Sequence, residues 1–358
     1  MTDKKYTDIA IKKLPHSECE VSASVPAAVF DSYRAKALKE LGSDVVVPGF
    51  RKGKVPEDML VGHIGEARIL EKAGNLALQD IYPQIVLDEK LHAIGSPQIS
   101  ITKLAAGNPM EFTAKTALLP EAKLPDYMKI AKREFAKEEK FEVTDKDLEE
   151  TLNHIRRQRA NIESFEQQKK DGVEKPKLPD VKDEDLPKLT DEFVATLGDF
   201  KTVDDFKKKV RENLLEEKKL RDKEKKRIAT IEAIIEKTEI DLPELILNQE
   251  QNRIQAQMEA DVAQTGTKLE DYLKNIGKNL AELREEWKPE AEKRAKLQLI
   301  LNTIARENTI EPPKDEVEKE IEHVLQHYPD AERENVKVYV ETTKRNEMVF
   351  QYLERASE

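Results

Sequence analysis

Residues 48–56 read Pro-Gly-Phe-Arg-Lys-Gly-Lys-Val-Pro, and the chemistry they offer is docking rather than bond-making. Arg51, Lys52 and Lys54 supply long-range attraction to a polyanionic or acidic surface. Phe50 supplies apolar contact and stacking, and no acidic residue interrupts them. Two prolines and two glycines punctuate the stretch, so an exposed turn is expected. A phosphate-binding loop is excluded, because only three residues separate Gly49 from Gly53 and Val55 stands where Ser or Thr would hold Mg²⁺. His323 and His327 lie four apart on an expected helix, a spacing that two ligands of one metal can use. The intervening Val324-Leu325-Gln326 lacks the glutamate of a zinc protease and no cysteine is near, so an exposed histidine pair is expected. No Gly-x-Ser-x-Gly elbow occurs, and Cys19 falls in an expected strand. Pairs such as Glu149-Glu150 and Glu216-Glu217 are ordinary for a charged helix surface, as is the stretch Lys218–Arg227 with its alternating signs. No catalytic residue, metal site or cofactor is assigned.

The elements that must hold the basic loop are legible on both sides. Val29, Tyr33, Ala37 and Leu41 stripe a helix over Pro26–Leu41. Met59, Ile69, Leu76, Ile81 and Ile85 suggest helix from Pro56 to about Leu91, broken near Gly62–Gly65. Strands are expected at 6–13 and 18–25, where Cys19, Val21, Ala23 and Val25 alternate with Glu20, Ser22 and Ser24. Two more fit Gln98–Leu104 and Met110–Leu118, joined by a Gly107-Asn108-Pro109 turn. Residues 1–120 are therefore expected to form an α+β domain, a four-stranded antiparallel sheet with helices. A connecting segment and helix follow over 121–166. Thr144 with Asp147 makes a capping box there, and Leu148, Leu152, Ile155, Ile162 and Phe165 follow at helical spacing. Residues 167–188, rich in charge and proline and without an aromatic, read as a short linker unable to bury a core.

Residues 189–358 read as an extended all-α domain with helical arms. Thr202 and Asp205 suggest a cap before Val203, Phe206, Val210 and Leu214. Leu247, Ile254, Met258 and Val262 make a stripe ending near Gly266. Leu269, Leu273 and Ile276 make another, beginning near Thr267 and Glu270. Lys288-Pro289 marks a kink or boundary before Leu297, Leu301 and Ile304, and Pro312-Pro313 precedes a last helical pair. With 37% charged residues and only 5% aromatics, long solvated helices are favoured over a compact enzyme. Mean hydropathy is −0.70. A net charge of −11 confines any nucleic-acid affinity to a local patch such as 49–54. One cysteine allows no internal disulfide, no run approaches the roughly 18 apolar residues of a membrane span, and Met1–Tyr6 opens no secretory signal. A cytoplasmic protein without membrane contact is expected.

Gly49-Phe50-Arg51-Lys52-Gly53 followed by Pro56 resembles the ribosome-docking loop of trigger factor, a family of bacterial chaperones. Leu189-Thr190-Asp191-Glu192-Phe193, Thr202 to Leu214, Leu242-Pro243-Glu244-Leu245 and Pro289-Glu290-Ala291-Glu292-Lys293-Arg294 resemble that family's C-terminal domain, in its order. The resemblance implies an ATP-independent chaperone without a cofactor. Its partners would be the large ribosomal subunit, an exit-tunnel protein with adjacent rRNA, and unfolded nascent polypeptides. It assigns the docking contact to Phe50, Arg51 and Lys52, with Lys54 beside them and Gly49 and Gly53 shaping the turn. It implies a helical cradle, for which Ile254, Met258, Val324, Tyr328 and Phe350 are candidate client-binding residues by type; ordinary helix–helix packing is the competing reading of each. Typical members carry a prolyl isomerase domain of roughly a hundred residues, similar to FK506-binding proteins, where this chain has only the 167–188 linker. No aromatic-walled segment remains to build it, so the isomerase domain and its activity are expected to be absent. Two alternatives stay open: a prolyl isomerase foldase, and a ribosome-independent holdase forming a homodimer that buries the loop.

Overall fold

The structure, a computed structural model, describes residues 4–43, 45, 55–137, 141–171 and 186–357. In chain order the elements are β1 (Thr7–Leu14), β2 (Glu18–Val25), α1 (Ala27–Gly42), α2 (Glu57–Ile64), α3 (Glu66–Asp88), β3 (Ala93–Lys103) and β4 (Met110–Leu118). Helices then follow: α4 (Tyr127–Phe135), α5 (Asp145–Lys170), α6 (Asp191–Ala195), α7 (Val203–Lys237), α8 (Glu244–Gln264), α9 (Leu269–Ile276), α10 (Leu280–Glu307), α11 (Lys314–His327) and α12 (Arg333–Glu354). They divide into two compact units. The first holds residues 1–125 and 237–309, the second 126–236 and 310–358, so the helical segment 189–358 contributes to both.

In the first unit the strands pair antiparallel in the order β1-β2-β4-β3. The period of two in β2 decides which face is covered: Cys19, Val21, Ala23 and Val25 are buried, while the alternate Glu20 and Ser22 are only half-buried. Val21 and Ala23 stand opposite Ala114 and Phe112 of β4, also buried. Phe30, Tyr33 and Ala37 of α1 and Ile69, Ala73, Ala77, Ile81 and Ile85 of α3 cover that face, so the sheet and two amphipathic helices make one core. β3 begins at Ala93, five residues before the strand start read from the sequence. Its pairing with β4 shifts between Ile94 and Gln98, where Gly95 takes φ 68°. The Gly-Ser-Pro composition of that irregular stretch masks the strand.

The helices α8, α9 and α10 belong to the same unit, with α8 packed along α10. Asn279 and Glu282 close a capping box at the start of α10, a local Asn-x-x-Glu signal. The helix then passes through Pro289 instead of ending there. Glu285, whose carbonyl loses its i+4 donor at that proline, and Pro289 itself are both exposed, and water can take the vacated bond.

In the second unit, Leu148 and Leu152 of α5, Val194 of α6, and Phe206 and Val210 of α7 form a small core. Phe200 meets Phe206 edge-on at 5.0 Å. The Thr144–Asp147 box closes as read, with both reciprocal bonds present. α5 runs on to Lys170, beyond the helix end placed at 166, and Lys169 lies over the Phe165 ring at 4.8 Å. Leu186 is buried, and its carbonyl and that of Pro187 accept from Arg156 at 3.1 and 2.5 Å, so the chain leaving the linker is fastened to the middle of α5. Arg227 of α7 reaches Glu347 at 2.8 Å and Glu354 at 2.5 Å on α12 and stacks 5.3 Å from the Phe350 ring. Burial works against the Arg227 charge, but the two carboxylates outweigh it and hold its pKa above the usual guanidinium value. Val317 and Ile321 of α11 pack on Val336 and Val340 of α12 as a helical hairpin.

Candidate functional site

The loop residues Gly49, Phe50, Arg51, Lys52, Gly53 and Lys54 lie outside the described residues. The elements flanking them converge. A Cβ on Gly42, the last residue of α1, would come within 2.8 Å of Leu60 Cδ1 on α2, so the glycine permits the two helices to touch. Val55 is buried and Pro56 caps α2. Arg34 of α1 then braces both following helices, meeting Glu66 at 2.8 and 2.9 Å and Glu57 at 3.4 Å. The hydrogen bond from Arg34 holds the Glu66 carboxyl below its usual range, against a smaller upward push from burial. One residue earlier on α1, Tyr33 donates to Asp80 of α3, which also takes Lys5 Nζ at 2.6 Å. The base of the loop is therefore a three-helix corner tied by charge-assisted bonds.

The five candidate client-contact residues fall in different places. Ile254 and Met258 stand four apart on α8, both half-buried, ahead of the fully buried Val262 on the same stripe. In the second unit Val324 is half-buried on α11, and Tyr328, one turn on, caps that helix with 67% of its surface exposed. Val338 and Tyr339, at 62% and 65% exposure, add apolar surface on α12 that sequence reasoning did not single out. Phe350 differs in that Arg227 stacks on its ring. The rings of His323 and His327 lie 4.7 Å apart, tilted by 55°, and both residues are exposed. Among the described residues no group of three or more His, Cys, Asp or Glu side chains is placed to hold a metal ion.

A further attachment point was not visible in the sequence. The segment Thr238–Pro243, between α7 and α8, fastens to the end of the sheet within the first unit. Asp241 Oδ2 accepts from the Ser17 amide at 3.1 Å, its carbonyl accepts from Ser17 Oγ at 2.7 Å, and its Oδ1 meets His16 Nδ1 at 3.2 Å. His16 and Ser17 form the β1–β2 turn with φ 61° and 48°, a left-handed pair that these bonds help hold. Lys123 and Glu239 make an isolated antiparallel bridge, and Leu245 covers Gly95. Residues more than 200 positions apart thus meet, and no local pattern signals it.

Among the described residues, an antiparallel sheet covered on one face by two helices, and helical hairpins with exposed apolar residues, offer surfaces for binding. Sequence models of one family match both parts of the chain: "Bacterial trigger factor protein (TF)" over residues 7–155 and "Bacterial trigger factor protein (TF) C-terminus" over 202–356. The chain belongs to the trigger factor family, a family of chaperones. Relatives include the trigger factors of Agathobacter rectalis, 25% identical over 96% of this chain and 95% of that one, and of Halalkalibacterium halodurans, 27% identical over 88% and 89%. A solved structure titled "Promiscuous Substrate Recognition in Folding and Assembly Activities of the Trigger Factor Chaperone" superposes with a TM-score of 0.59 at 17% identity, covering 98% of this chain and all of that one. The likeness in fold extends along nearly the whole chain. The Agathobacter alignment spans 420 positions against a chain of 358 residues, so that relative carries residues this chain lacks. The interval between the two family matches, 156–201, is less than half of the roughly 100 residues of a common domain.

Proposed function

We propose that this chain is an ATP-independent chaperone that docks on the large ribosomal subunit beside the exit tunnel and holds emerging polypeptides on its helical surfaces. Phe50, Arg51 and Lys52 make the docking contact with a tunnel-exit protein and adjacent rRNA, Lys54 adds charge, and Gly49 and Gly53 shape the turn. The observation that carries this reading is a cationic, aromatic loop sequence set on helices whose described ends are braced by Gly42–Leu60 contact and by Arg34. A loop on a rigid base loses less entropy when it docks. Ile254, Met258, Val324 and Tyr328 offer partly or largely exposed apolar surface to clients, and Phe350 joins them if its ring exchanges Arg227 for a client side chain. Weak contacts of this kind release a client as its own core buries it, with dwell times set by off-rates. The protein acts without prolyl isomerase activity, since 156–201 is too short for such a domain. No helix among the described residues is long and apolar enough to cross a membrane, and the proposed place of action is the cytoplasm beside translating ribosomes.

The test is the variant carrying Phe50→Ala, Arg51→Ala and Lys52→Ala. It should lose co-sedimentation with ribosomes while keeping its helical circular dichroism and its suppression of client aggregation. Full ribosome binding by that variant would overturn the docking assignment.

A further inference from the structure

In the second unit, Pro187 fixes its own φ and biases Leu186 towards extended backbone, so neither residue extends a helix. No helix or strand forms over Leu186–Thr190. Among the described residues, Leu186, Pro187, Lys188 and Leu189 make no backbone–backbone hydrogen bond. Leu186 is nonetheless buried, and Leu189 packs against the core shared by α5, α6 and α7. The hydrogen bonds that hold the segment come from α5. Arg156 donates from Nε to the Pro187 carbonyl at 2.5 Å, from Nη2 to the Leu186 carbonyl at 3.1 Å, and from Nη1 to Asn153 Oδ1 at 2.8 Å. Two consecutive main-chain carbonyls thus share one planar guanidinium, and Asn153 orients it. These contacts read extended backbone and an apolar side chain ahead of a proline, while Lys188 is exposed. A stretch fastened by side-chain bonds, outside any ladder, opens at lower free energy than the helices it joins.

We propose that Asn153 and Arg156 form a polypeptide subsite on α5, and that Leu186-Pro187 occupies it as a strap, an internal stand-in for a client. The external ligand is an extended segment in which an apolar residue precedes proline. The inference rests on the chaperone reading and adds to it a ligand class and a form of regulation. An incoming segment supplies what the strap supplies: two adjacent carbonyls for the guanidinium and one apolar side chain in place of Leu186. Residues before proline are biased to this backbone in an unfolded chain, so holding one costs little ordering. Between clients the closed strap keeps the Arg156 donors paired and Leu186 away from water. A client competes with a tethered rival, which weakens its apparent affinity in proportion to the time the strap is closed.

The probe is a fluorescein-labelled peptide copying residues 184–189, Glu-Asp-Leu-Pro-Lys-Leu, followed by fluorescence anisotropy. It is offered to the full chain, to the strap variant Leu186→Ser/Pro187→Gly, and to that variant with Arg156→Leu added. Loosening the strap should tighten peptide binding roughly tenfold over the parent, because the subsite is then open most of the time. Adding Arg156→Leu should abolish the gain while circular dichroism stays helical. A control peptide with Ser-Gly in place of Leu-Pro should bind none of the three. p-Benzoylphenylalanine in place of Ala160, one helical turn from Arg156, should cross-link the probe in the strap variant, a readout that leaves Arg156 intact. Equal affinity of parent and strap variant, a gain that survives Arg156→Leu, equal binding of the control peptide, or no cross-link from position 160 would overturn the subsite and make the strap a fixed seam of the fold. Suppression of client aggregation by the parent chain would in that event leave the chaperone reading standing. A parent chain that suppresses no aggregation, with a strap variant that binds no probe, would sink both readings together.

Discussion

Asp147 does two jobs with one carboxylate. It accepts from the Thr144 amide at 2.9 Å, closing the cap of α5, and from Lys218 Nζ of α7 at 2.7 Å. The lysine hydrogen bond, followed by the Thr144 bonds, pulls its pKa from an ordinary 3.8 down to about 2. The folded state therefore holds the proton more weakly than the unfolded chain does. The stabilisation is fully present above the unfolded value near 3.8 and is lost as pH falls through about 2. Asp147→Asn should lower stability at neutral pH, and urea unfolding followed from pH 7 to pH 2 should show a shallower acid decline than the parent. Parallel acid profiles for the two proteins would argue against this account. Half of this arrangement was legible in the sequence, because a Thr-x-x-Asp cap is local. Lys218 lies 71 positions away, and its choice among many lysines on a charged helix depends on packing alone.

Elements show the same split between period and register. The strand β4 and the helix α1 read correctly to within a residue because burial on one face writes a period into the chain. The first part of β3 did not, because Gly95 and Pro97 interrupt its pattern for the sake of a contact made elsewhere. Gly95 sits at φ 68°, and a Cβ there would lie 2.5 Å from Leu245 Cδ2 at the start of α8. Gly95→Ala should cost about 1–2 kcal/mol from the left-handed backbone, with more from the overlap. Adding Leu245→Ala should recover only the overlap share, so thermal melts of the single and double variants separate the two causes. An alanine variant as stable as the parent would mean that the β3 irregularity relaxes easily. Pro289 teaches the converse. A proline expected to mark a kink or boundary sits inside α10, on a surface where its lost hydrogen bond faces water.

At the scale of the whole molecule, a highly charged chain of net −11 holds Phe50, Arg51, Lys52 and Lys54 in a stretch, 48–56, that has no acidic residue. Docking through so few cations should be an electrostatic tether to an otherwise repelled scaffold. The short interval between the two family matches leads to a separate expectation about activity. Added to a refolding reaction limited by prolyl isomerisation, the chain should leave the slow rate constant unchanged while raising the yield. A catalysed slow phase would show that isomerase chemistry resides in a segment read as linker and helix. The sequence by itself determined the α+β start, the helical remainder and the Thr144–Asp147 cap, since each rests on neighbours within a few positions. Only the tertiary structure decided that Ser17 meets Asp241 and that Arg227 claims the Phe350 ring. The physical reason is that solvated charges and half-buried leucines look alike along a chain of amphipathic helices. Which of them stay uncommitted depends on which distant surfaces the folded core brings together.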